Sequence, residues 1–575
     1  MIRTMAHRLV LAALLVQGFG PVMSLPVDVS QSRSQHLDKR AKVIAEEVQM
    51  RIGGKLTLTA EEARLNKFIM SEKHRMIDGS RLNRTDYLSA FSFFKSKSFV
   101  ETTPIFKIIK KMPKGAALHL HDLALTSLDW LVKNATYRDN VYMYKDSDSF
   151  VHLSMFQTPP SDKRKYTVKI FRCLFFQCKS QSVIPIFDYP TILDGISMLS
   201  SDPLEKYPTL TQVWNRFNLY FSQVTGLVFN VNVMRDYYWR GLQEFHEDNV
   251  QYIELRGLMS GFTELNGTVY DEEFGVNLYK TVTEDFVRNN PGFSGAKVIM
   301  SGLRFKPEAD VLSQVEKALE IRRKDPHFLV GYDLVGQEDP NRSLQYYLDA
   351  LLYPQNQLPY FFHAAETNWQ ETEADYNLVD ALLLNTTRVG HGYGLIKHPK
   401  LVQMLKDANV AVEISPISNQ ILGLVSDLRN HPMASLVAQG FPIVVSSDDP
   451  GTWEAAPLSH DFYMAFMDTS GRDTDLTFLK QLALNSLEYS AMNSTEKATA
   501  KALWQSKWDS FITAAVDEWT ADLPAEIIDS TSFAPVGTNT TGSHRGGAGC
   551  LRPSAVVLYM PVLLVASLLR LTTAS

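Results

Sequence analysis

Three histidines and one aspartate, each at or just after the end of a short β-rich run, can support metal chemistry. They are His119, His121, His363 and Asp448. Residues i and i+2 of a strand point to the same face, so the imidazoles of His119 and His121 can reach one ion. Three neutral nitrogens and one carboxylate suit a divalent cation such as Zn²⁺ and leave a position for water. Because zinc makes bound water a nucleophile near neutral pH, the predicted chemistry is hydrolysis.

Such a reaction also needs groups that move protons. Glu366 lies three residues after His363 and is a candidate acid/base, and His391, between two glycines, is a candidate to orient and deprotonate the water. Asp449 follows Asp448, so that one carboxylate can bind metal while the other contacts substrate. For His391 taken alone, the alternative is a turn histidine flanked by glycines, and two adjacent acids in a loop are usually just solvated.

Eight β-rich runs alternate with longer amphipathic stretches, and this pattern predicts βα units around a parallel sheet. The runs are 116–121, 251–258, 296–304, 328–335, 360–364, 387–390, 410–414 and 442–446. Eight such units predict an α/β fold, a (β/α)₈ TIM barrel whose C-terminal mouth would collect the polar residues. A doubly wound sheet is the main alternative, but the sequence has no G-x-G-x-x-G phosphate loop.

The composition is that of an ordinary globular protein. The chain has 575 residues, with 45% hydrophobic and 21% charged, which argues against disorder and coiled coil. A net charge of −6 gives no support for nucleic-acid binding. Three cysteines exclude a disulfide scaffold and a cysteine-rich zinc fold.

The N-terminus predicts export. Residues 1–24 combine basic residues, a short apolar core and small residues before position 25, as in a secretory signal peptide; the core is too short for a membrane anchor. Seven Asn-x-Ser/Thr sequons are glycosylation candidates in that compartment. They are Asn83, Asn134, Asn266, Asn341, Asn385, Asn493 and Asn539.

The C-terminus has a polar linker, 523–553, and a hydrophobic tail, 554–575. Small residues, a spacer and an apolar tail indicate a GPI-attachment signal; a single-span tail, or neither, stays open. Cleavage at the preceding glycines would leave two cysteines, Cys173 and Cys178. These two can form a local disulfide or remain free thiols.

The barrel is predicted within 101–522. Residues 25–100 are charged and have helical spacing, so they predict an N-terminal helical arm. Residues 135–200 mix Tyr, Phe, Ser, Pro and Lys without a clear period, which predicts an inserted small subdomain.

Several short motifs occur in one characteristic order. They are Met112-Pro113-Lys114-Gly115, His119-Leu120-His121-Asp122, Asp333-Leu334-Val335-Gly336, His363-Ala364-Ala365-Glu366-Thr367, Gly390-His391-Gly392 and Ser446-Ser447-Asp448-Asp449-Pro450. In this order they resemble the adenosine deaminases, and the sequence is most similar to their secreted group, the adenosine deaminase-related growth factors. The resemblance extends over roughly 30–520 and implies a metal-dependent amidohydrolase barrel, a dimerisation arm at 25–100 and a receptor-binding-like insertion.

The resemblance also implies residue roles. One Zn²⁺ per subunit would be bound by His119, His121, His363 and Asp448, while Glu366 protonates N1 of the purine and His391 holds the attacking hydroxide. Asp449 would accept a hydrogen bond at N7, the backbone of Gly336 would meet N3, and Asp122 and Trp214 would contact the sugar. The implied reaction is attack at C6 of adenosine, and of 2′-deoxyadenosine, with loss of ammonia.

One residue departs from the family pattern, which usually reads His-Ala-Gly-Glu where this chain has Ala365. A glycine there indicates a strained backbone angle or close approach of substrate, so a methyl group either lowers activity or is accommodated. Ala365 keeps open one alternative to adenosine deamination, a catalytically weak or silent growth factor. A separate alternative is another amidohydrolase, such as a deaminase of modified or 2′-deoxy purine nucleosides.

The predicted setting is extracellular, either secreted or attached to the outer face of the plasma membrane through the tail. The predicted partners are a nucleoside, a second copy of the chain, and a cell-surface receptor or glycosaminoglycan.

Overall fold

The computed structural model describes residues 33–83, 87, 90–146, 148, 150–158, 168–169 and 189–521. Several predicted features lie outside them: the signal peptide, the C-terminal linker and tail, Cys173, Cys178, Asn539 and the side chain of Asn83. The chain divides into a body of residues 42–531 and a second unit of 1–41 and 532–575. In the second unit, residues 33–41 form the first part of a helix.

Four helices precede the barrel, as the polar N-terminal sequence predicts. They are α1 (Arg33–Met50), α2 (Ala60–Asn83), α3 (Phe93–Val100) and α4 (Pro104–Lys111). α2 begins at a capping box, in which the Thr59 hydroxyl accepts from the Glu62 N–H and the Glu62 carboxylate accepts from the Thr59 N–H. α1 has no buried residue.

Eleven strands form within the described residues. They are β1 (Gly115–His121), β2 (Val141–Lys145), β3 (Val151–Met155), β4 (Val168–Lys169), β5 (Val250–Gly257), β6 (Gly295–Leu303), β7 (Leu329–Val335), β8 (His363–Ala364), β9 (Arg388–His391), β10 (Ala411–Ile414) and β11 (Ile443–Val445). Eight of them, β1 and β5 to β11, correspond to the eight predicted runs.

These eight strands close into a parallel ring. The sheets β1-β5-β6-β7 and β8-β9-β10-β11 are each parallel throughout. Parallel bridges between Leu120 and Asp448 and between Tyr332 and Tyr360 join them at both edges. The predicted TIM barrel is confirmed, and the carboxyl ends of its strands meet at one mouth.

Helices cover the outside of the ring and connect its strands. In chain order they are α5 (Leu128–Trp130), α6 (Tyr189–Ile196), α7 (Pro203–Lys206), α8 (Leu210–Val228), α9 (Val231–Glu247), α10 (Glu272–Asn289), α11 (Glu308–Lys324), α12 (Leu348–Leu352), α13 (Glu373–Leu383), α14 (Pro399–Asp407), α15 (Pro416–Ile421), α16 (Met433–Ala438), α17 (Ser459–Met467), α18 (Leu476–Glu488) and α19 (Ser494–Thr520). Among the described helices, none has the length and apolar character that crossing a bilayer requires.

The insertion supplies an antiparallel sheet in the order β3-β2-β4, which packs beside α8. The close approach depends on Gly226, since a Cβ there would lie 2.4 Å from the Ser154 hydroxyl. α8 is thereby held where one of its faces can line the barrel mouth.

Candidate active site

The strand ends bring the four predicted metal ligands together. Nε2 of His119 lies 3.0 Å from Nε2 of His363 and 3.4 Å from Oδ1 of Asp448. Nε2 of His121 lies 3.1 Å from the same Asp448 oxygen. The bridge from β1 to Asp448 explains this convergence, because the Asp448 N–H donates to the His119 carbonyl and the His121 N–H donates to the Asp448 carbonyl.

The chemistry of this donor set fits a cation. Nδ1 of His119 is 2.7 Å from Glu413, and Nδ1 of His363 is 2.7 Å from Asp333. Each Nδ1 therefore donates to its carboxylate, which leaves both Nε2 lone pairs facing each other across 3.0 Å. Such an arrangement requires a proton or a cation between the two nitrogens. Ligand atoms of His119, His363, His391 and Asp448 lie within 4.8 Å of one another, and so do those of His121, Asp448 and Asp449, so Asp448, which has an oxygen without a hydrogen-bond partner, joins two groups that can hold a metal ion.

His391 has a different role because its tautomer is set by a chain of hydrogen bonds. Met433 N–H donates to Nδ1 of His431, so Nε2 of His431 donates to the Asn419 carbonyl oxygen. The Asn419 amide then donates to Nδ1 of His391. Nε2 of His391 consequently carries the proton and lies 3.8 Å from Asp448. This tautomer suits donation to a bound oxygen rather than metal binding or proton abstraction.

A buried ion network lies beneath the metal-ligand cluster. Arg256 donates to Asp333 at 2.7 Å and to Glu413 at 2.6 Å, and Arg388 donates to Glu413 and to Glu254. All five side chains are fully buried. Although burial opposes ionisation, Arg256 and Arg388 hold the pKa of Glu413 below its ordinary value. The network thus fixes the two carboxylates that orient His119 and His363.

We expect Glu413→Gln to weaken both the fold and the metal site. The change leaves Arg256 and Arg388 short of a buried anion, which should cost about 3–5 kcal/mol of unfolding free energy. Loss of the carboxylate behind His119 should reduce metal affinity by about 10–100-fold. Chemical denaturation and metal titration measure the two effects. Glu488→Gln, which breaks the exposed pair with Lys501, is the matched control and should cost no more than about 1 kcal/mol.

Glu366 is buried at the mouth of the barrel with one carboxyl oxygen unpartnered. That oxygen is 3.5 Å from Nδ1 of His391. Burial and the nearby Asp448 raise the pKa of Glu366 well above its ordinary value, which favours the protonated acid. A neutral carboxyl here can donate a proton to a substrate.

Two further acids, Asp449 and Asp122, line the same cavity. Burial, with Asp448 alongside, raises the pKa of Asp449 well above its ordinary value, and one of its oxygens has no hydrogen-bond partner. Burial raises the pKa of Asp122 to about 7, and Asp122 accepts from the Tyr279 hydroxyl at 3.1 Å. Gly257 makes room for Asp122, since a Cβ there would lie 2.3 Å from its oxygen.

The cavity has a volume of about 510 Å³ and takes in nine of the ten predicted metal, acid/base and substrate-contact residues. They are His121, Asp122, Trp214, Gly336, His363, Glu366, His391, Asp448 and Asp449. His119 is buried beneath them. Gly336 has φ +107°, and a Cβ there would meet open space, which leaves its backbone accessible. The face of α8 that carries Trp214, Phe217 and Phe221 forms an apolar wall.

Three site residues have left-handed backbones, which cost energy for residues other than glycine. They are Ala365 (φ +56°), His391 (φ +58°) and Asp448 (φ +61°). Of the two explanations offered for the glycine usual at position 365, the structure thus supports the backbone angle. Ala365 is buried but is not one of the described residues that line the cavity. Its methyl group lies toward Gly394, whose missing side chain leaves room for it.

We expect Ala365→Gly to raise the unfolding free energy by about 0.5–1 kcal/mol. Glycine removes a left-handed cost of about 1–2 kcal/mol but adds freedom to the unfolded chain. Activity should stay within about threefold, because the groups around the cavity are unchanged. The measurement is denaturation beside Ala364→Gly, a neighbouring strand alanine that lacks positive φ and should instead lose stability. If Ala365→Gly instead lowers the unfolding free energy, the left-handed backbone of Ala365 is not a source of strain.

Sequence reasoning assigned no specific role to Glu413, Asn419, His431, Glu338 or Arg304. Two of them carried a usable signal: Glu413 is a charged residue inside the apolar run 410–414, and Asn419 is a polar residue that follows this run at the predicted barrel mouth. The hydrogen bond between Asn419 and His431, 12 residues apart, is not indicated by any local pattern.

The barrel, with imidazoles and carboxylates at the carboxyl ends of its strands, defines a hydrolase-type TIM barrel. A family model described as "Adenosine deaminase" matches residues 199–503, and one described as "Adenosine/AMP deaminase N-terminal" matches 10–109. This chain belongs to the adenosine deaminase family, and within it to the adenosine deaminase 2 group.

Similar proteins cover most of the chain. Adenosine deaminase 2 of Sus scrofa is 41% identical over 498 residues, which are 86% of this chain and 97% of that protein. Adenosine deaminase 2 of Homo sapiens is 40% identical over 479 residues, 83% and 93% of the two chains. A COG1816 amidohydrolase from Burkholderia ambifaria, solved with bound Zn, covers 72% of this chain and 96% of its own with a TM-score of 0.52. At 19% identity, that likeness shows the fold alone.

Proposed function

We propose that this protein is an extracellular zinc-dependent adenosine deaminase, which hydrolyses adenosine and 2′-deoxyadenosine to inosine or 2′-deoxyinosine and ammonia. The observation that carries the proposal is the facing pair of imidazole lone pairs on His119 and His363, with a buried acid, Glu366, in the same cavity. Membership of the adenosine deaminase 2 group supports adenosine as the substrate.

The residues of the cavity divide the work. His119, His121, His363 and Asp448 would hold Zn²⁺, which when bound supplies Lewis-acid activation of water. Glu366 donates a proton to N1, which draws electron density from C6 as the oxygen of water adds there. Nε2–H of His391 donates to that oxygen and holds it against the ring. The C6–N bond then breaks as the oxygen becomes the O6 carbonyl: of the two protons of the attacking water, one passes to the amino group, which leaves as ammonia, and the other restores the Glu366 carboxyl.

The direction of the hydrogen bond at N7 differs from the one that the resemblance implied. Purine N7 carries a lone pair and no proton, so a group that bonds to it must donate. The raised pKa of Asp449 supports a protonated carboxyl in that role. We therefore propose that Asp449 donates to N7, while Asp122 and Trp214 face the sugar.

The test is conversion of nucleosides by the purified protein. Adenosine should give inosine and ammonia in equal amounts, followed by ultraviolet absorbance and chromatography. A panel with N6-modified purine nucleosides separates this activity from a related deaminase, since each should be turned over more slowly than adenosine. A folded, zinc-loaded protein that leaves adenosine intact contradicts the proposal.

The silent growth-factor alternative rested on Ala365. Because the Ala365 methyl group lies beside Gly394 and outside the cavity lining, it gives no reason to expect inactivity. Signalling that survives Glu366→Gln would nevertheless show a function separate from catalysis.

We also propose export, glycosylation and a homodimer formed through the N-terminal helices. Asn134, Asn266, Asn385 and Asn493 are exposed, whereas Asn341 is half-buried at the cavity.

Glycosidase digestion tests glycosylation, and release from cells by a phosphatidylinositol-specific phospholipase tests a GPI anchor. Light scattering with and without residues 25–50 tests the dimer.

A further inference from the structure

Glu338, in the segment after β7, lies against the turn that carries Glu366. Glu338 is 2% exposed, and its carboxylate accepts from two successive backbone groups, the Ala365 N–H at 3.1 Å and the Glu366 N–H at 2.8 Å. A carboxylate that accepts from two adjacent amides fixes the orientation of the peptide between them. Glu338 itself does not line the described cavity, so it acts on the turn rather than on substrate.

The turn held by Glu338 is strained. Ala365 has φ +56°, a conformation that an L-residue keeps only when its surroundings enforce it. Two other contacts restrain the turn from the carbonyl side: Gly394 N–H donates to the Ala365 carbonyl at 3.0 Å, and Arg304 donates to the His363 carbonyl. Glu338 restrains the N–H groups of the same turn, those of Ala365 and Glu366.

Glu338 is in turn held in place by buried groups. The Asn377 amide donates to its carboxylate, and the Arg304 guanidinium lies 4.0 Å from it. Arg304 is fully buried, with Nε and Nη1 unpartnered within the described residues, and the Glu338 carboxylate lies within 4.0 Å of its guanidinium. This contact, with the bond from Asn377, holds the Glu338 carboxylate directly behind the turn.

We propose that Glu338 is a positioning residue for deamination: it holds the Ala365–Glu366 turn in its left-handed form and so aims the Glu366 carboxyl into the cavity. The proposal deepens the proposed function and rests on it. Because alanine resists this backbone and glycine does not, the chain depends on Glu338 more strongly with Ala365 than it would with glycine.

The test is a cycle of Glu338→Gln, Ala365→Gly and the double variant, with kcat, KM, zinc content and melting temperature measured for each. Glutamine replaces one acceptor oxygen with a donor that faces an N–H. We expect Glu338→Gln to lower kcat by about 30–100-fold, with KM within about threefold, since a small misplacement of a reacting group costs this much. In the Ala365→Gly background the loss should shrink to less than about tenfold.

A residue that only supports the fold would give a different pattern. Its losses would be equal in both backgrounds and would follow the melting temperature or the zinc content, and either result overturns the proposal. An unchanged kcat in Glu338→Gln overturns it as well. Glu373→Gln, an exposed carboxylate nearby at the start of α13, is the charge-matched control and should leave kcat unchanged.

If Glu338→Gln does not fold, Glu338→Asp takes its place, because aspartate keeps the charge but moves the carboxylate away from the turn. The same kinetic constants are then compared for Glu338→Asp alone and combined with Ala365→Gly. If the unmodified protein does not deaminate adenosine, the proposed function fails before any variant is compared. Deamination by the unmodified protein with equal losses in the two backgrounds refutes only the positioning role of Glu338.

Discussion

Replacing Glu366 with glutamine is expected to lower kcat by about a thousandfold or more. The amide keeps the size of the side chain but cannot deliver a proton to N1, and general acid catalysis contributes about 10²–10⁴-fold. KM should remain within about threefold, because the rest of the cavity is unchanged. The measurement is steady-state inosine formation with zinc content and melting temperature determined on the same samples.

The pH dependence provides a second check on Glu366. Burial and Asp448 raise the pKa of Glu366, so its carboxyl carries a proton at pH values below that raised pKa. As the pH rises through the pKa, the carboxyl loses this proton and can no longer act as an acid. Activity should therefore fall on the alkaline side, and the residual activity of Glu366→Gln should lack this step. Glu371→Gln, an exposed acid on the same loop, should keep both the rate and the profile. Wild-type rates in Glu366→Gln would remove Glu366 from the mechanism.

Removal of the metal is expected to reduce deamination by at least about a thousandfold. Without a cation the attacking water keeps its ordinary high pKa and is a poor nucleophile at neutral pH. Dialysis against a chelator should abolish turnover, and added Zn²⁺ should restore it. His363→Ala should lose activity that Zn²⁺ does not restore, because one of the four ligands is gone. Full activity after verified metal removal contradicts a metal mechanism.

The same experiment has a predicted pH dependence. Burial and Arg256 oppose protonation of His119, but the nearby Asp448 carboxylate and the hydrogen bond with Glu413 raise its pKa above the ordinary value. A proton on His119 competes with the metal, so affinity is highest above that raised pKa and falls as the pH drops through it. Stripping by chelator should therefore be easier at acidic pH. An affinity independent of pH would contradict this competition.

The losses of activity expected for Glu366→Gln and for metal removal depend on some residues that the sequence indicates and on others that only the structure identifies. His119 and His121 were identifiable because the i, i+2 spacing on a strand is local, and so was Glu366 three residues from His363. Glu413 stood out as a charged residue inside the apolar run 410–414, but its orienting role did not, because that role depends on its contacts with Arg256 and Arg388 inside the barrel. Glu338 is a similar case, since its amide partners are 27 and 28 residues away.

The sequence by itself determined the eight βα units, the candidate ligands and the family. Strand patterns and the order of the motifs can be read directly from the sequence, without knowledge of tertiary contacts. Only the tertiary structure decided which nitrogen of each histidine faces the site, where the Ala365 methyl group lies, and which buried acids have raised pKa values. These properties arise from burial and from hydrogen bonds between distant segments. Local sequence is enough to predict the strands, whereas the protonation states depend on contacts that form only when the barrel closes.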